Sequence, residues 1–351
     1  MEAPPGQLDL IHRAARILLT KTLVSHKIPH WVHNLSSKKD PDNQRRRGAE
    51  RRQAIIRYNF ASSFDTASVT MAPEIQGFTR HWASDFQGNS GSLPDDNRWD
   101  IVNRGPNYGN KEIQNFIKDT SVVCQDGEQL IICPSYDDKK WTSARLHCKK
   151  DFHASDNRIM IIQAHIKVSV AAENLVSGVW PSFWLLGKSY REGGDASWPD
   201  CGEIDIFENA AGKPYSIPAL HFGEQDNLKS KIGHKADFNR DEWHTWAIRI
   251  DRKSSNGNWE DEEIQFLLDG KQYFKVTGQD VGDRNRWESL AHQPVFPILQ
   301  VAVGTNWDGG SQPTDATRHM GQYYSLKKGS RLAVMGLGLM VTYVAVYFDE
   351  R

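Results

Sequence analysis

The amino-acid sequence predicts an all-β fold, a sandwich of two antiparallel sheets, and three observations support this prediction. Short runs rich in β-branched and aromatic residues follow one another from about Gly77 to the end of the chain. Turn-forming residues separate these runs, and the chain carries 27 glycines. Strands do not alternate with long amphipathic helical segments, as they would in a parallel α/β sheet. Many short strands at this spacing are typical of a sandwich.

The charge of the chain is unevenly spread. The 351 residues carry a net charge of −1, but residues 1–60 hold 12 Lys or Arg against 5 Asp or Glu, which leaves the remainder acidic. An acidic body is a poor surface for nucleic acid. We therefore expect no nucleic-acid partner, and we expect the protein to be a monomer.

Residues 1–77 are expected to form a basic extension, mostly disordered or helical, ahead of the main domain at 78–351. Leu8 to Val24 has an amphipathic helical pattern, which fits a mitochondrial presequence, an incidental surface helix or a wrongly assigned start codon. The arginine clusters at 45–47 and 51–52 are typical of a solvated tail. The residues after Met1 lack the order of a secretory signal, so the sequence leaves the localisation open.

Two hairpins are predicted within the main domain. The first runs from Thr120 to Cys133 around Asp126-Gly127, and the second runs from Ile264 to Val276 around Asp269-Gly270. Asp-Gly readily supplies the positive φ angles that tight hairpin turns need. Further strand-like runs are Arg158 to Val168, Trp243 to Asp251 and Val295 to Val303.

The apolar segment Leu332 to Phe348 has two interpretations. It lacks charged residues, and its length is near the lower limit for crossing a bilayer. However, Gly336 and Gly338 interrupt it, and residues 341–347 are rich in β-branched and aromatic side chains. A buried closing strand is therefore favoured over a membrane anchor.

The four cysteines, Cys124, Cys133, Cys148 and Cys201, lack the paired spacing of a zinc site. One or two disulfides and free buried thiols both fit them, since a core of this size needs no covalent staples.

Three carboxylates, Glu203, Asp205 and Glu208, stand in one strand-like run. Glu203 and Asp205 are two residues apart and share a face of a strand. Glu208 would point to the opposite face unless a β-bulge near Ile206-Phe207 accommodates one extra residue. Because unpaired buried charge is costly, three acids in such a run indicate catalysis. With the bulge, two glutamates could lie about 5–5.5 Å apart, the separation of a retaining glycosidase.

The residues around this run carry a specific resemblance. Trp180-Pro181-Ser182-Phe183-Trp184-Leu185-Leu186-Gly187, Trp198-Pro199 and Gly202-Glu203-Ile204-Asp205-Ile206-Phe207-Glu208 resemble the signature of glycoside hydrolase family 16, in its laminarinase-like branch. The similarity covers about 270 residues, essentially all of the chain beyond the basic extension.

This resemblance implies a concanavalin A-like β-jelly-roll sandwich whose concave face binds β-glucan. It implies endo-acting, retaining hydrolysis of β-1,3 or mixed β-1,3-1,4 glucan, with Glu203 as nucleophile, Asp205 as assisting carboxylate and Glu208 as acid/base. It also implies that no organic cofactor is required and that the protein is secreted or in the cell wall. A transglycosylase on the same residues and a non-catalytic glycan-binding module are the alternatives, and a lectin would need neither glutamate.

Further residues are candidates for substrate binding. Flat aromatic rings suit the apolar faces of sugars, although tryptophan can equally fill a core. Asn110, Arg145 and His221 match positions that resemble family subsite residues, and Glu112 could orient Arg145. The tryptophan candidates are Trp180, Trp184, Trp198 and Trp307.

Two features depart from the family pattern. Thr342 stands where many relatives carry an acidic residue for a structural calcium, although Asp85 matches the other acidic position. No metal is therefore expected at the active site, and a calcium near Asp85 is an open expectation. The segment Gly321 to Gly338 is an insertion, either a genuine loop or a retained intron in the gene model.

Overall fold

Apolar residues at alternate positions place one face of most strands against a common core. The computed structural model describes residues 71–107, 110–304, 312–323 and 336–350. All of them lie in one unit of the chain, Ser68–Arg351. Its twenty strands are β1 Phe78–Ser84, β2 Trp99–Ile101, β3 Gln114–Phe116, β4 Val123–Gln125, β5 Leu130–Ile132, β6 Ser135–Asp137, β7 Lys140–Ser143, β8 Arg145–Cys148, β9 Ile159–Val168, β10 Val179–Gly187, β11 Glu203–Glu208, β12 Tyr215–Ser216, β13 Ala219–Glu224, β14 Asn227–Ile232, β15 Ala236–Asp237, β16 His244–Asp251, β17 Glu263–Leu268, β18 Lys271–Thr277, β19 Val295–Val303 and β20 Leu339–Asp349.

Two antiparallel sheets form the main body, as the sequence predicted. The eight-stranded sheet has the order β18-β17-β16-β9-β20-β5-β4, and β1 also pairs with β20. The seven-stranded sheet has the order β14-β13-β11-β10-β19-β8-β2. Two small sheets, β12-β15 and β3-β7-β6, accompany them, and β3 pairs with β7 in parallel. The prediction of an all-β sandwich is confirmed.

The core lies where the inner faces of the two sheets meet. Ile204, Ile206 and Phe207 of β11 are buried in the same apolar cluster as Trp246 of β16. The rings of Phe207 and Trp246 lie 4.9 Å apart. The inward side chains of β11 thus anchor this strand, which leaves its carboxylates to the outer face.

Both predicted hairpins are present. Strands β4 and β5 pair antiparallel, and β17 pairs with β18 across Asp269 and Gly270, which have φ angles of 51° and 77°. The predicted runs 158–168, 243–251 and 295–303 correspond to β9, β16 and β19.

The closing segment forms a buried strand within the described residues. Every residue of β20 except the half-buried Phe348 is buried, and β20 pairs with β9 on one side and with β1 and β5 on the other. No helix in the described part of the chain is long and apolar enough to cross a membrane. The predicted strand is present over 339–349, whereas 324–335 of the insertion lie outside the described residues.

Short helices and the segment before β1 cover the sheets. Among the described residues the α-helices are α1 Tyr190–Gly193, α2 Gly278–Val281, α3 Arg284–Ala291 and α4 Asp315–Tyr323. Ala72 and Ile75 pack beside Tyr343 and Tyr347 on the outer face of the eight-stranded sheet. The hydroxyl of Tyr347 donates a hydrogen bond to the carbonyl of Pro73 at 2.7 Å.

The four cysteines form no disulfide. All four thiols are buried. Of the two interpretations of these residues, buried thiols outside any disulfide are therefore the correct one.

Candidate active site

A β-bulge lies in β11 at the place that the carboxylate spacing requires. Phe207 pairs with Phe183, but Asp205 pairs with Trp184, so Ile206 is the extra residue. Because residues directly opposite in an antiparallel pair share a face, Glu208 lies on the face of Ser182 and Asp205 on that of Trp184. Ser182 and Trp184 are two residues apart and share a face, so Glu208 and Asp205 do too. The predicted bulge is confirmed.

The outer face of the seven-stranded sheet carries three rows of side chains across neighbouring strands. We call this surface the carboxylate face. The row of Glu208 is Arg145, Gln300, Ser182 and Glu208. The row of Asp205 is His147, Ile298, Trp184, Asp205 and Ala219. The row of Glu203 is Phe296, Leu186, Glu203, His221 and Ser230.

Trp198 holds the side chain of Glu203. The indole Nε1–H donates a hydrogen bond to Oε2 of the half-buried Glu203 at 3.1 Å. Burial raises the pKa of Glu203 to about 7, and the charge of Glu112 adds to this rise. The positive charge of Arg145 and the Trp198 hydrogen bond act in the opposite direction and lower the pKa. Ionisation of Glu203 is therefore less favourable than that of a solvent-exposed glutamate.

Ionisation of Asp205 is strongly disfavoured. It is 4% exposed, and its burial, followed by the charges of Glu203 and Glu208, holds its pKa well above the usual range. The imidazole of His221 lies beside it, with 3.5 Å between Nε2 and Oδ2. A protonated Asp205 between two glutamates can donate a proton to either neighbour or share one with Glu203.

Arg145 supplies positive charge to the same face. Its Nε–H donates to Nε2 of His147 at 2.7 Å, and its Nη1 donates to Oε1 of Gln300 at 3.3 Å. The guanidinium carbon lies 4.5 Å from the ring centre of Trp184, a cation–π contact. Burial, followed by the charges of Arg145 and Arg191, holds the pKa of His147 well below its usual value, which suits a neutral imidazole that accepts from Arg145.

Comparison with protein families identifies this arrangement. The family described as "Glycosyl hydrolases family 16" matches residues 131–325, more than half of the chain. The chain belongs to glycosyl hydrolase family 16. By this membership it is an O-glycosyl hydrolase, and its two-sheet fold is the jelly roll of its structural neighbours.

Individual relatives agree with the family 16 assignment. A glucan endo-1,3-beta-glucosidase of Cryptopygus antarcticus is 29% identical over 264 residues, which cover 68% of this chain and 85% of that protein. Glucan endo-1,3-beta-glucosidase A1 of Niallia circulans is 28% identical over 270 residues; the match covers 69% of this chain but only 36% of that longer protein. The crystal structure of an endo-1,3-beta-glucanase from Streptomyces sioyaensis superposes with a TM-score of 0.68 at 26% identity, over 80% of this chain and all of that one.

Glu112 is another buried acid of the family 16 domain. It is 4% exposed, and its Oε2 accepts a hydrogen bond from Nε2 of Gln114 at 2.7 Å. Burial raises its pKa to about 7, whereas the Gln114 hydrogen bond and the charges of Arg145 and Arg104 lower it. The charge of Arg145 acts on Glu112, and the expectation that Glu112 orients Arg145 stays a prediction.

The loop before β11 is fixed by α3. Gly202 has a φ angle of 68°, and a Cβ there would lie 2.2 Å from the carbonyl oxygen of Ser289. The side-chain amide of Gln293 donates to the carbonyl oxygens of Cys201 and Ser289. Only glycine fits this approach, so the loop carrying Trp198 enters β11 in one position.

Three of the four tryptophan candidates lie outside the core between the sheets. Trp180 is buried against Ala210 and Ala302, and Trp184 and Trp198 pack in one apolar cluster with Phe296. This excludes the alternative in which these three tryptophans fill the sandwich core. Trp307 lies outside the described residues.

The structure shows the positions of Asn110, His221 and Asp85, but their roles stay predictions. Asn110 is exposed beside Glu112. Nδ1 of His221 forms a hydrogen bond with the hydroxyl of Ser230 at 2.7 Å. Oδ1 of Asp85 accepts the backbone N–H of Ala72 at 3.0 Å, and a calcium there stays a prediction.

Several polar residues of the carboxylate face were not singled out from the sequence. His147 follows Arg145 at strand spacing, so alternation alone would have indicated it. Gln300 is the one polar residue in the apolar run Val295–Val303, and an isolated polar residue in such a run is a signal worth using. Ser182 gives no comparable signal, nor does Gln114, which lies outside the three rows and donates a hydrogen bond to Glu112.

Proposed function

We propose that this protein is an endo-acting β-glucan hydrolase that cleaves β-1,3 or mixed β-1,3-1,4 glucan with retention of anomeric configuration. Glu203 is the nucleophile, Glu208 the acid/base and Asp205 the carboxylate that assists them. The observation that carries the proposal is the bulge at Ile206, because it puts the two glutamates on one face of β11. Relatives named for endo-1,3-β-glucan cleavage support the substrate class.

The first half of the reaction needs an ionised Glu203 and a protonated Glu208. Glu208 would give its proton to the glycosidic oxygen while Glu203 attacks the anomeric carbon and forms a glycosyl–enzyme ester. The Trp198 hydrogen bond and the charge of Arg145 favour the ionised form of Glu203. In the second half, a water molecule would attack the glycosyl–enzyme ester while Glu208 accepts a proton from that water. This step frees Glu203 and releases a product of the original configuration.

The rim of the face suits a glucose polymer. Trp184 and Trp198 offer partly exposed ring surface for the apolar side of a pyranose. Arg145, His221 and Gln300 offer polar groups for sugar hydroxyls. These roles belong to the proposal, together with the expectations that no organic cofactor is needed and that the protein acts as a monomer.

Variants of the two glutamates test the roles separately. Glu203→Gln and Glu208→Gln are each expected to abolish the release of reducing sugar from laminarin while the circular dichroism spectrum stays that of the wild type. Glu260→Gln is the control, because Glu260 is an exposed glutamate outside the three rows of the carboxylate face, and its rate should match that of the wild type. Wild-type rates in either β11 variant would refute the assignment.

Azide distinguishes the nucleophile from the acid/base. With an activated aryl β-glucoside, azide should attack the anomeric carbon in Glu203→Ala and give the α-glycosyl azide. In Glu208→Ala, azide should attack the glycosyl–enzyme ester and give the β-glycosyl azide. Exchanged outcomes would reverse the two roles.

Substrate and acceptor tests separate the alternatives. Product analysis on laminarin, barley β-glucan and lichenan defines the linkage that is cleaved. Elongated products in the presence of laminari-oligosaccharide acceptors would indicate a transglycosylase, and binding without turnover by the wild type would indicate a lectin-like module.

A further inference from the structure

A buried oxygen on the carboxylate face has no hydrogen-bond partner among the described residues. Oδ2 of Asp205 is inaccessible to solvent and accepts no hydrogen bond from that part of the chain. It faces Nε2 of His221 at 3.5 Å. An unsatisfied buried carboxylate oxygen is costly and asks for an explanation, such as an ion between it and its neighbours.

Three side chains converge at this oxygen. Ligand atoms of Glu203, Asp205 and His221 all lie within 4.8 Å of one another. The strand register explains the convergence, because Glu203 and His221 are directly opposite on β11 and β13, and Asp205 is two residues from Glu203 on the same face.

The separation between His221 and Asp205 suits two ligands of a tetrahedral metal ion. Two ligands that each lie about 2.0–2.1 Å from zinc at a tetrahedral angle are roughly 3.3–3.4 Å apart. The separation of 3.5 Å between Nε2 of His221 and Oδ2 of Asp205 is close to this value. The Trp198 hydrogen bond engages Oε2 of Glu203, which leaves Oε1 able to complete a set of three ligands.

The surroundings of His221 resemble those of a metal-binding imidazole. Its Nδ1 lies 2.7 Å from the hydroxyl of Ser230, the next residue of the same row. A hydrogen bond at the distal nitrogen fixes the ring orientation of metal-ligating histidines. One imidazole with two carboxylates suits zinc or copper, whereas calcium and magnesium prefer oxygen ligands alone.

We propose that Glu203, Asp205 and His221 form a binding site for Zn²⁺ or a similar transition-metal dication, and that metal and glucan exclude each other there. Exclusion follows because the metal would occupy the oxygens of two carboxylates assigned to the reaction. The inhibitory consequence rests on the proposed function, whereas binding of the metal does not.

Calorimetric titration of the untagged full-length chain with zinc chloride tests the binding. The wild type is expected to bind one Zn²⁺ at this site. His221→Gln should weaken binding at least about tenfold, and Ser230→Ala should weaken it by about 10–100-fold, the range for loss of a supporting hydrogen bond. His234→Gln is the matched control, since His234 is exposed and lies outside the three rows, and its titration should match that of the wild type.

Kinetics with laminarin test the exclusion. Zn²⁺ should raise the apparent KM without lowering kcat, EDTA should reverse this, and His221→Gln should lose sensitivity relative to its own metal-free rate. Equal Zn²⁺ affinity in wild type and His221→Gln, or no binding at all, would overturn the proposal, as would inhibition that glucan does not relieve. Zn²⁺ binding without glucan hydrolysis would support the metal site and overturn the proposed function. Glucan hydrolysis without Zn²⁺ binding would support the proposed function and overturn the metal site.

Discussion

Trp198→Phe tests the electrostatic control of Glu203. The substitution keeps an aromatic ring but removes the Nε1–H that donates to Oε2 of Glu203 at 3.1 Å. A hydrogen bond to a charged group contributes about 1.5–3 kcal/mol, and this one is long, so the low end applies. At 1.36 kcal/mol per pH unit, the pKa of Glu203 should rise by about one pH unit.

The expected result follows from the sign of this change. The pKa of Glu203 is about 7 in the wild type, and loss of a donor disfavours the ionised form that attacks the sugar. The acid limb of kcat/KM, which reports the free enzyme, should therefore move up by about one pH unit, and the rate on that limb should fall roughly tenfold.

The assay is kcat/KM on laminarin between pH 4 and pH 9. Trp184→Phe is the control, because the indole N–H of Trp184 has no hydrogen-bond partner among the described residues. This control is expected to change the rate without moving the acid limb. An acid limb that stays in place in Trp198→Phe, or that moves equally in both variants, would refute the reasoning.

Three further predictions concern the site and its support. Asp205→Asn should weaken activity without erasing it, because Asp205 favours its neutral form and Asn is a neutral replacement, and its pH–rate profile should change; an identical profile would remove Asp205 from the proton network. Gly202→Ala should lower stability by about 1–3 kcal/mol and reduce kcat, measured by urea unfolding and laminarin turnover, because a Cβ at φ 68° meets the carbonyl of Ser289; wild-type values would contradict this. Burial alone would raise the pKa of Asp349. Hydrogen bonds from Lys253, the Ile159 N–H and Arg158 outweigh the effect of burial and lower this pKa to about 2. The stability that Asp349 provides is therefore present above about pH 4 and lost towards pH 2, so the difference in unfolding free energy between wild type and Asp349→Asn should shrink over that range, and a constant difference would argue against it.

The bulge could be predicted because strand geometry allows only one solution for Glu208. Side chains alternate along a strand, and a third carboxylate five residues from Glu203 can join the first two only through an extra residue. Ile206 and Phe207 support the same bulge, since two adjacent apolar residues can both face the core only where the strand carries an extra residue. Local pattern therefore sufficed for β11, as it did for the Asp269-Gly270 hairpin.

Other parts of the site depend on pairing between distant strands. Arg145 and Gln300 meet only because β8 pairs with β19, and His221 meets Ser230 only because β13 pairs with β14. Sequence spacing carries no information on such registers. The same holds for Gln293, whose contact with the Cys201 carbonyl depends on where α3 packs.

The most direct test of the central claim is the anomeric configuration of the first product, followed by ¹H NMR during hydrolysis of a laminari-oligosaccharide. If the bulge at Ile206 brings Glu203 and Glu208 to the separation of about 5–5.5 Å that a covalent intermediate needs, the β-anomer should appear first and the α-anomer only later, by mutarotation. Initial release of the α-anomer would indicate an inverting enzyme, whose carboxyl groups lie about 6.5–9.5 Å apart, and would contradict this account.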